Sequence, residues 1–250
     1  MIMNLSRFTR LAAQRIVKMV LVILAIAVTN FLLIHAAPGD PASVIAGESG
    51  AADPQFVAQL RAQFGLDQPL STQLMIYLGH VLHGDLGTSF RQGRPVFDLI
   101  LERLPATLLL TGTAFVFAIV AGLTLGALAS QRVGKVTDSA ITVLALAFYA
   151  TPLFWVGLML VLVFSVWLEW LPSFGMNTVG AGYTGWAAVA DTAQYLVLPA
   201  LTLGLFYMAV YARLTRASML DVGSQDFVRT ARAKGVPEGR ILRRHILRNA

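Results

Sequence analysis

Apolar positions along the chain gather into four stretches free of Asp, Glu, Lys and Arg: Met19–Ala37, Thr107–Ser130, Ser139–Leu168 and Thr192–Ala212. A helix needs roughly 20 apolar residues to cross a hydrocarbon core, so each stretch reads as a membrane span. The expected fold is all-α, a polytopic transmembrane helix bundle. The third stretch is 30 residues long. As one straight helix it would measure about 45 Å, which predicts a kink at Thr151-Pro152 or a strong tilt. Pro199 is placed to do the same early in the fourth. In the second stretch Ala118, Gly122, Gly126 and Ser130 recur every fourth residue, a small-residue stripe that lets another helix approach closely, either within the chain's own bundle or in another subunit.

The residues between the first two runs are neither apolar enough to insert nor biased enough to be disordered, and they predict a folded cap. Asp53-Pro54 has the chemistry of an N-cap and first helical residue, with Phe56, Leu60 and Phe64 on one face and Gly65 as the stop. Pro69 opens a second helix ending near Gly84. Beyond the turn-rich Gly84-Asp85-Leu86-Gly87, Pro95 opens a third, amphipathic helix that runs to Leu104-Pro105 and feeds the second span.

Composition agrees with a lipid environment, since 56% hydrophobic against 13% charged residues leaves too little polar surface to coat a soluble globule. The net charge of +6 would point to nucleic acid in a soluble protein. Here its distribution matters more, and no nucleic-acid partner is implied. Placing the N-terminus inside puts fifteen basic residues inside and four outside, as the positive-inside bias demands, so both ends face the cytoplasm. Arg7, Arg10, Arg15 and Lys18 precede a first run too long for a typical signal-peptide core, so it reads as a retained span.

Catalytic patterns are near misses. Gly134-Lys135 is followed by Val136 and lacks the earlier glycine of a nucleotide-binding loop, so ATP hydrolysis by that route is excluded. Gly47-Glu48-Ser49-Gly50-Ala51 imitates a nucleophile elbow, but Ala51 replaces the last glycine and no strand precedes it, so it reads as a loop. With no cysteine, thiol catalysis and Cys-based metal sites are excluded. His80, His83 and Asp85 have ligand chemistry, although a surface histidine pair is the better reading; His35 reads as an interfacial or packed histidine. The spans lack the buried ionisable residues that ion coupling requires, which argues against a secondary transporter. Asn30 and Gln194 are the polar residues best placed to line a path or to bond a neighbouring helix.

The stretch from Arg213 to Ala250 contains Arg229-Thr-Ala-Arg-Ala-Lys-Gly235 followed by Val236-Pro237-Glu238. It resembles the cytoplasmic loop of binding-protein-dependent ABC importer permeases, in the form of the dipeptide/oligopeptide/nickel branch. Arg229 and Thr230 depart from the general Glu-Ala start, and His245 and Arg248 from the later Ile and Pro positions. Pro38-Gly39-Asp40-Pro41, Phe64-Gly-Leu-Asp-Gln-Pro-Leu70, Gly84-Asp-Leu-Gly-Thr-Ser89 and Arg103-Leu-Pro-Ala-Thr-Leu108 resemble successive signatures of the first of the two permeases in such importers.

From the residues alone, Gln225–Lys234 forms a short helix, Gly235 and Pro237 break it, and Pro237 opens a second helix through Ile241 and Leu242 to Leu247. The resemblance implies that this knob is the coupling helix, seated in a groove of an ATPase subunit. Ala231, Gly235, Val236, Pro237 and Glu238 would lie at the turn, with Arg232, Lys234 and Arg240 as flanking polar contacts. The plainer explanation for the basic residues is attraction to anionic lipid, worth about 1 kcal/mol each.

The resemblance further implies a type I importer permease, not itself an enzyme, in the bacterial inner membrane. Its partners would be a second homologous permease, two ATPase subunits, a periplasmic solute-binding protein and the lipid bilayer. It would bind no cofactor of its own, ATP and Mg belonging to the partner ATPases. The implied organisation is a cytoplasmic N-terminus at 1–18, spans at 19–37, 107–130, 139–168 and 192–212, a periplasmic helical segment at 38–106, and a coupling loop at 213–250. Related chains continue into further spans, so the functional form is expected to be longer by about two helices. The alternative is a membrane anchor or scaffold subunit of a membrane enzyme complex. The branch carries dipeptides, longer peptides, nickel complexes and other solutes, and the sequence does not choose among them.

Overall fold

The computed structural model describes residues 5–36, 39, 41–48, 53–63, 65–89 and 92–250, excepting the side chains of residues 5–8, 41, 44, 45, 48, 60 and 63. Ala37, Pro38, Asp40, Ser49–Ala51, Phe64 and the side chains of Arg7 and Leu60, all used in the sequence reading, lie outside the described residues. Among the described residues the regular elements are helices and one two-stranded antiparallel ribbon, with irregular chain over 168–185, and the chain divides into two units, Met1–Leu104 and Pro105–Ala250.

The first unit begins with α1 (Leu5–Ala36), 32 residues of continuous helix, so that residues 5–18 belong to the same rod as the first apolar run. It continues with α2 (Pro41–Glu48), α3 (Pro54–Gln63) and α4 (Leu70–Leu82). The sequence reading did not anticipate α2, and Gly47 and Glu48 are its last turn rather than loop. Ala42 and Ala46 of α2 are buried against Phe56, Val57 and Leu66. Asp53 caps α3 by accepting the Gln55 N–H at 3.0 Å. Gly65, at φ +62°, stops that helix, with the Leu66 N–H returning to the Arg61 carbonyl at 2.9 Å.

His35 joins α1 to α4, with Nδ1 2.9 Å from the Phe31 carbonyl and Nε2 3.0 Å from Gln73 Oε1, while Phe31 stacks on Tyr77. His80 and His83 go separate ways. His80 Nδ1 pairs with Asp85 Oδ2 at 2.8 Å and His83 Nδ1 bonds the Gly79 carbonyl at 2.7 Å. The Gly87 N–H, then His80, hold the Asp85 carboxyl below the usual carboxylate range. Thr88–Ser89 (β1) pairs with Arg94–Pro95 (β2), so Pro95 sits in the ribbon and the next helix starts at Val96.

That helix, α5 (Val96–Gln131), corrects the sequence reading of a separate amphipathic helix ending at Leu104-Pro105. It is one rod of 36 residues with Pro105 inside it. A proline forfeits a single N–H bond, and a long helix with apolar packing on its far side survives that loss. The run 139–168 is not a single rod. It folds as α6 (Val136–Ala150) and then α7 (Leu153–Val161) with a π-helical continuation over Leu162–Trp167, the two legs bent by 103° at Thr151-Pro152. The fourth run is the middle of α8 (Trp186–Gly223), 38 residues that pass through Pro199 without a break. The last elements are α9 (Asp226–Ala233) and α10 (Glu238–Ile241), followed by a π-helical turn over Leu242–Ile246. Pro237 caps α10 from outside rather than beginning it.

The central column of the second unit is α8. Buried Ala200, Gly204, Met208, Ala212, Thr215 and Met219 follow one another at helical spacing along it. Against it lies the small-residue face of α5, where Ala118, Gly122 and Gly126 are buried and the partly buried Ser130 Oγ is 3.5 Å from Met219 Sδ. A Cβ added at Gly126 would stand 2.6 Å from the Ala212 carbonyl oxygen, and one at Gly122 would stand 2.5 Å from Tyr211 Cβ. The contact is therefore backbone to backbone, and nothing larger than glycine fits.

On another side α6 runs antiparallel to α8. Arg216 Nε and Nη2 donate to the two carboxylate oxygens of Asp138 at 2.6 and 2.8 Å, and at the other end Tyr149 stacks on Phe206. The Gly134 N–H completes the set on Asp138 at 3.1 Å. This fork-to-fork geometry fixes register as well as supplying attraction.

Two outcomes are expected. Gly126→Ala forces apart backbones that already touch and costs about 1–3 kcal/mol, so the thermal midpoint of the detergent-solubilised protein falls. Gly112→Ala, whose added Cβ meets nothing within 4 Å, keeps or raises that midpoint; equal midpoints for the two variants would contradict this packing. For the ion pair, Asp138→Asn and Arg216→Gln each lower the midpoint, and the double variant loses clearly less than the two singles added together. Strict additivity would show that the two groups do not act as a unit.

Candidate coupling elbow

The second unit ends in a hairpin of short helices rooted in α8. Val222 of α8 packs with Val228 and Ala231 of α9, Ile241 of α10, and Ile246 just beyond, forming a small apolar core to which Val236 and Leu242 add their side chains. Val228 and Ile241 are completely enclosed. α9 is strongly amphipathic, since Val228 and Ala231 face this core while Phe227, Arg229 and Arg232 are exposed. Asp226 in its first turn lies at the end where a negative charge is favourable.

The turn itself is closed by its own backbone. Gly235 adopts φ +74°; its N–H donates to the Arg232 carbonyl at 2.9 Å, and the Val236 N–H reaches back to the Ala231 carbonyl at 3.2 Å. This pair of bonds, with Val236 and Ala231 in the same apolar cluster, is a Schellman stop. Across the turn Arg232 Nε donates to Glu238 Oε1 at 2.8 Å, and the Pro237 carbonyl accepts from Arg240 and Ile241 to start α10. The positive φ rather than crowding selects glycine, because an added Cβ at Gly235 would meet nothing within 4 Å.

Each residue singled out at the turn can now be placed. Ala231 is buried and Val236 half-buried, and both root the turn. Arg232, Lys234, Gly235, Pro237, Glu238 and Arg240 are exposed on its outer surface. The structure thus gathers all eight into one elbow with a packed inner side and a polar outer side. What the arrangement offers is mechanical: a short projection closed by its own hydrogen bonds and packed on the end of α8.

Sequence reading missed the Asp138–Arg216 pair, whose members stand far apart in the chain, although an acid directly after the basic Arg132 and Lys135 was a visible irregularity. It also took 213–223 for loop, whereas these residues continue α8. The helical spacing of Ala212, Thr215, Met219 and Val222 was the available sign of helix.

Residues 118–250 match the family described as binding-protein-dependent transport system inner membrane component, and residues 8–111 match the description of the N-terminal part of such membrane components. A glutathione transport system permease protein, GsiC, of Salmonella typhi is 42% identical over 237 residues, covering 95% of this chain and 72% of that protein. A protein of Brucella abortus (strain 2308), provisionally named a peptide transport system permease protein, is 40% identical over 242 residues, covering 97% and 74% of the two chains. With three helices among the described residues long and apolar enough to cross a membrane, and a fourth crossing if the bent pair is one span, the chain belongs to the binding-protein-dependent transport system inner membrane components, as a multi-pass helical permease subunit of an ATP-binding cassette importer.

Proposed function

We propose that this chain, with a second homologous permease, forms the path by which peptides or similar small solutes delivered by a periplasmic binding protein enter the cytoplasm. Two ATPase subunits hold the ATP and Mg, and this chain contributes no cofactor ligand. Both ends face the cytoplasm, which the fifteen-to-four distribution of basic residues supports. Residues 38–106, with α2 to α4, then form a cap on the periplasmic side where the binding protein docks. The substrate class rests on the names of the relatives, one a glutathione and the other a peptide transport permease.

The observation that carries the mechanism is the elbow at Gly235, closed by its own backbone bonds and rooted in a core shared with α8. Its exposed face, with Arg232, Lys234, Pro237, Glu238 and Arg240, seats in a groove of an ATPase subunit. When ATP closes the two ATPases, the groove carries the elbow with it. Because α8 is a single rod, the displacement passes to its apolar half and to the α5 and α6 faces packed on it. The bundle then opens outward to receive solute and relaxes after hydrolysis.

Substitution at Gly235 tests this reading. A side chain at φ +74° costs about 1–2 kcal/mol, least for Asn and most for a β-branched residue. Gly235→Val is expected to lose most uptake and most stimulation of ATPase activity by loaded binding protein in proteoliposomes, while membrane insertion is kept. Gly235→Asn retains a large part of both. Undiminished uptake by Gly235→Val with the ATPase still bound would remove the elbow from the mechanism.

A further inference from the structure

Arg213 is the first charged residue of α8 after the charge-free run 192–212, and its guanidinium carbon lies 4.9 Å from the centre of the Tyr149 ring. Tyr149 stacks on Phe206, with centroids 5.7 Å and planes 15° apart, and Phe206 meets Tyr207 edge-on. The direction of the arginine is informative. Tyr149 stands eleven positions beyond Asp138 in α6, about 16 Å along the axis. The Asp138–Arg216 pair marks the end of these helices nearer α9. Arg213 therefore leans away from α9 and back toward the apolar run, the way helical side chains naturally tilt. An arginine serving only as an interfacial anchor would stretch the other way, toward water and headgroups.

Its charge is met by no carboxylate among the described residues. Arg94, Arg216 and Arg232 each hold a carboxylate. Among the described residues none pairs with Arg213, whose recorded partner is the Tyr149 ring. A cation beside apolar helix is costly unless water or an anion meets it, and such residues mark solute pathways. The rings of this row are not used up by packing, because Tyr149 beside Arg213 and Tyr207 at the far end remain 46% and 45% exposed. A planar guanidinium is suited to a carboxylate, which it grips through two parallel hydrogen bonds, and exposed aromatic faces suit the flat amides and side chains of a peptide.

Resting on the peptide reading above, we infer that Arg213, with the Tyr149 ring against it and Phe206 and Tyr207 continuing the aromatic row, is a station that recognises the carboxylate of the transported solute as it passes this chain. The site adds a selectivity step within the permease itself, after release from the binding protein.

The test uses the complete importer in proteoliposomes with saturating loaded binding protein. The probes are trialanine, compared with its C-terminal amide, and glutathione, compared with the form in which both of its carboxylates are amidated, and uptake by each variant is divided by wild-type uptake of the same probe, so that the binding protein's own preference cancels. Arg213→Gln is expected to lower uptake of the free acids about tenfold more than uptake of the amides, the loss typical of a charged hydrogen bond. Arg213→Lys recovers part of that difference. Equal losses for acid and amide, or no loss for either, would overturn the inference while leaving the peptide reading intact. So would a difference that follows the anionic lipid content of the vesicles instead of the solute, since that result assigns Arg213 to a lipid phosphate. Failure of the wild-type importer to take up any of the four probes would overturn the peptide reading and this inference together.

Discussion

Much of the second unit depends on the direct approach of two helix backbones. At Gly122 and Gly126 the surface of α5 has no side chain, and α8 fills the space with its own main chain between Met208 and Arg216. Lipid tails are as apolar as leucine, so hydrophobicity alone does not hold two helices together in a bilayer; close dispersion contact over a long seam does. Gly204 repeats the device from the other side, where a Cβ would stand 2.5 Å from Phe117. Once α5 is seated, the remaining contacts fall into register. Phe115 meets Tyr211 edge-on, Gly157 of α7 lies against Thr202, and the Asp138 fork receives Arg216.

A seam of this kind also determines what α8 can transmit. A helix gripped along much of its length moves as a rod, and its end carries the elbow as a rigid attachment because Met219 and Val222 belong to the same cluster as Val228, Ala231, Ile241 and Ile246. Between α8 and α9 only Ser224 and Gln225 intervene, and both N–H groups return to the end of α8. The stiffness is local and covalently short. Displacement at the outer face of the elbow therefore has little slack to take up before it reaches the apolar half of α8, where the aromatic residues and Arg213 are found.

The sequence disclosed the parts governed by local chemistry. Charge-free runs, the small-residue stripe, the Asp53 cap, the Gly65 and Gly235 stops and the break at Thr151-Pro152 are each written in a few adjacent residues, and the structure describes each of them. Helix ends were less legible. Pro105 and Pro199 are breakers by propensity, yet both lie inside long helices, because tertiary packing outweighs one lost N–H bond. The extent of α8 was hidden by its charges, which suggested loop. Arg213 and Arg216 are tolerated there because one finds a carboxylate and the other an aromatic face. Those partners lie scores of residues away, and neither pairing follows from spacing.

The claim on which the functional account turns is physical contact between the outer face of the elbow and an ATPase. Because these 250 residues contain no cysteine, a single cysteine placed at Lys234 can carry a photoreactive group in the assembled importer without interference from thiols elsewhere in them. Illumination is expected to join this position to an ATPase subunit, with a yield that changes between the nucleotide-free and ATP-bound states. Labelling of that cysteine from the periplasmic face, or the absence of any ATPase adduct from a complex that still transports, would contradict the account.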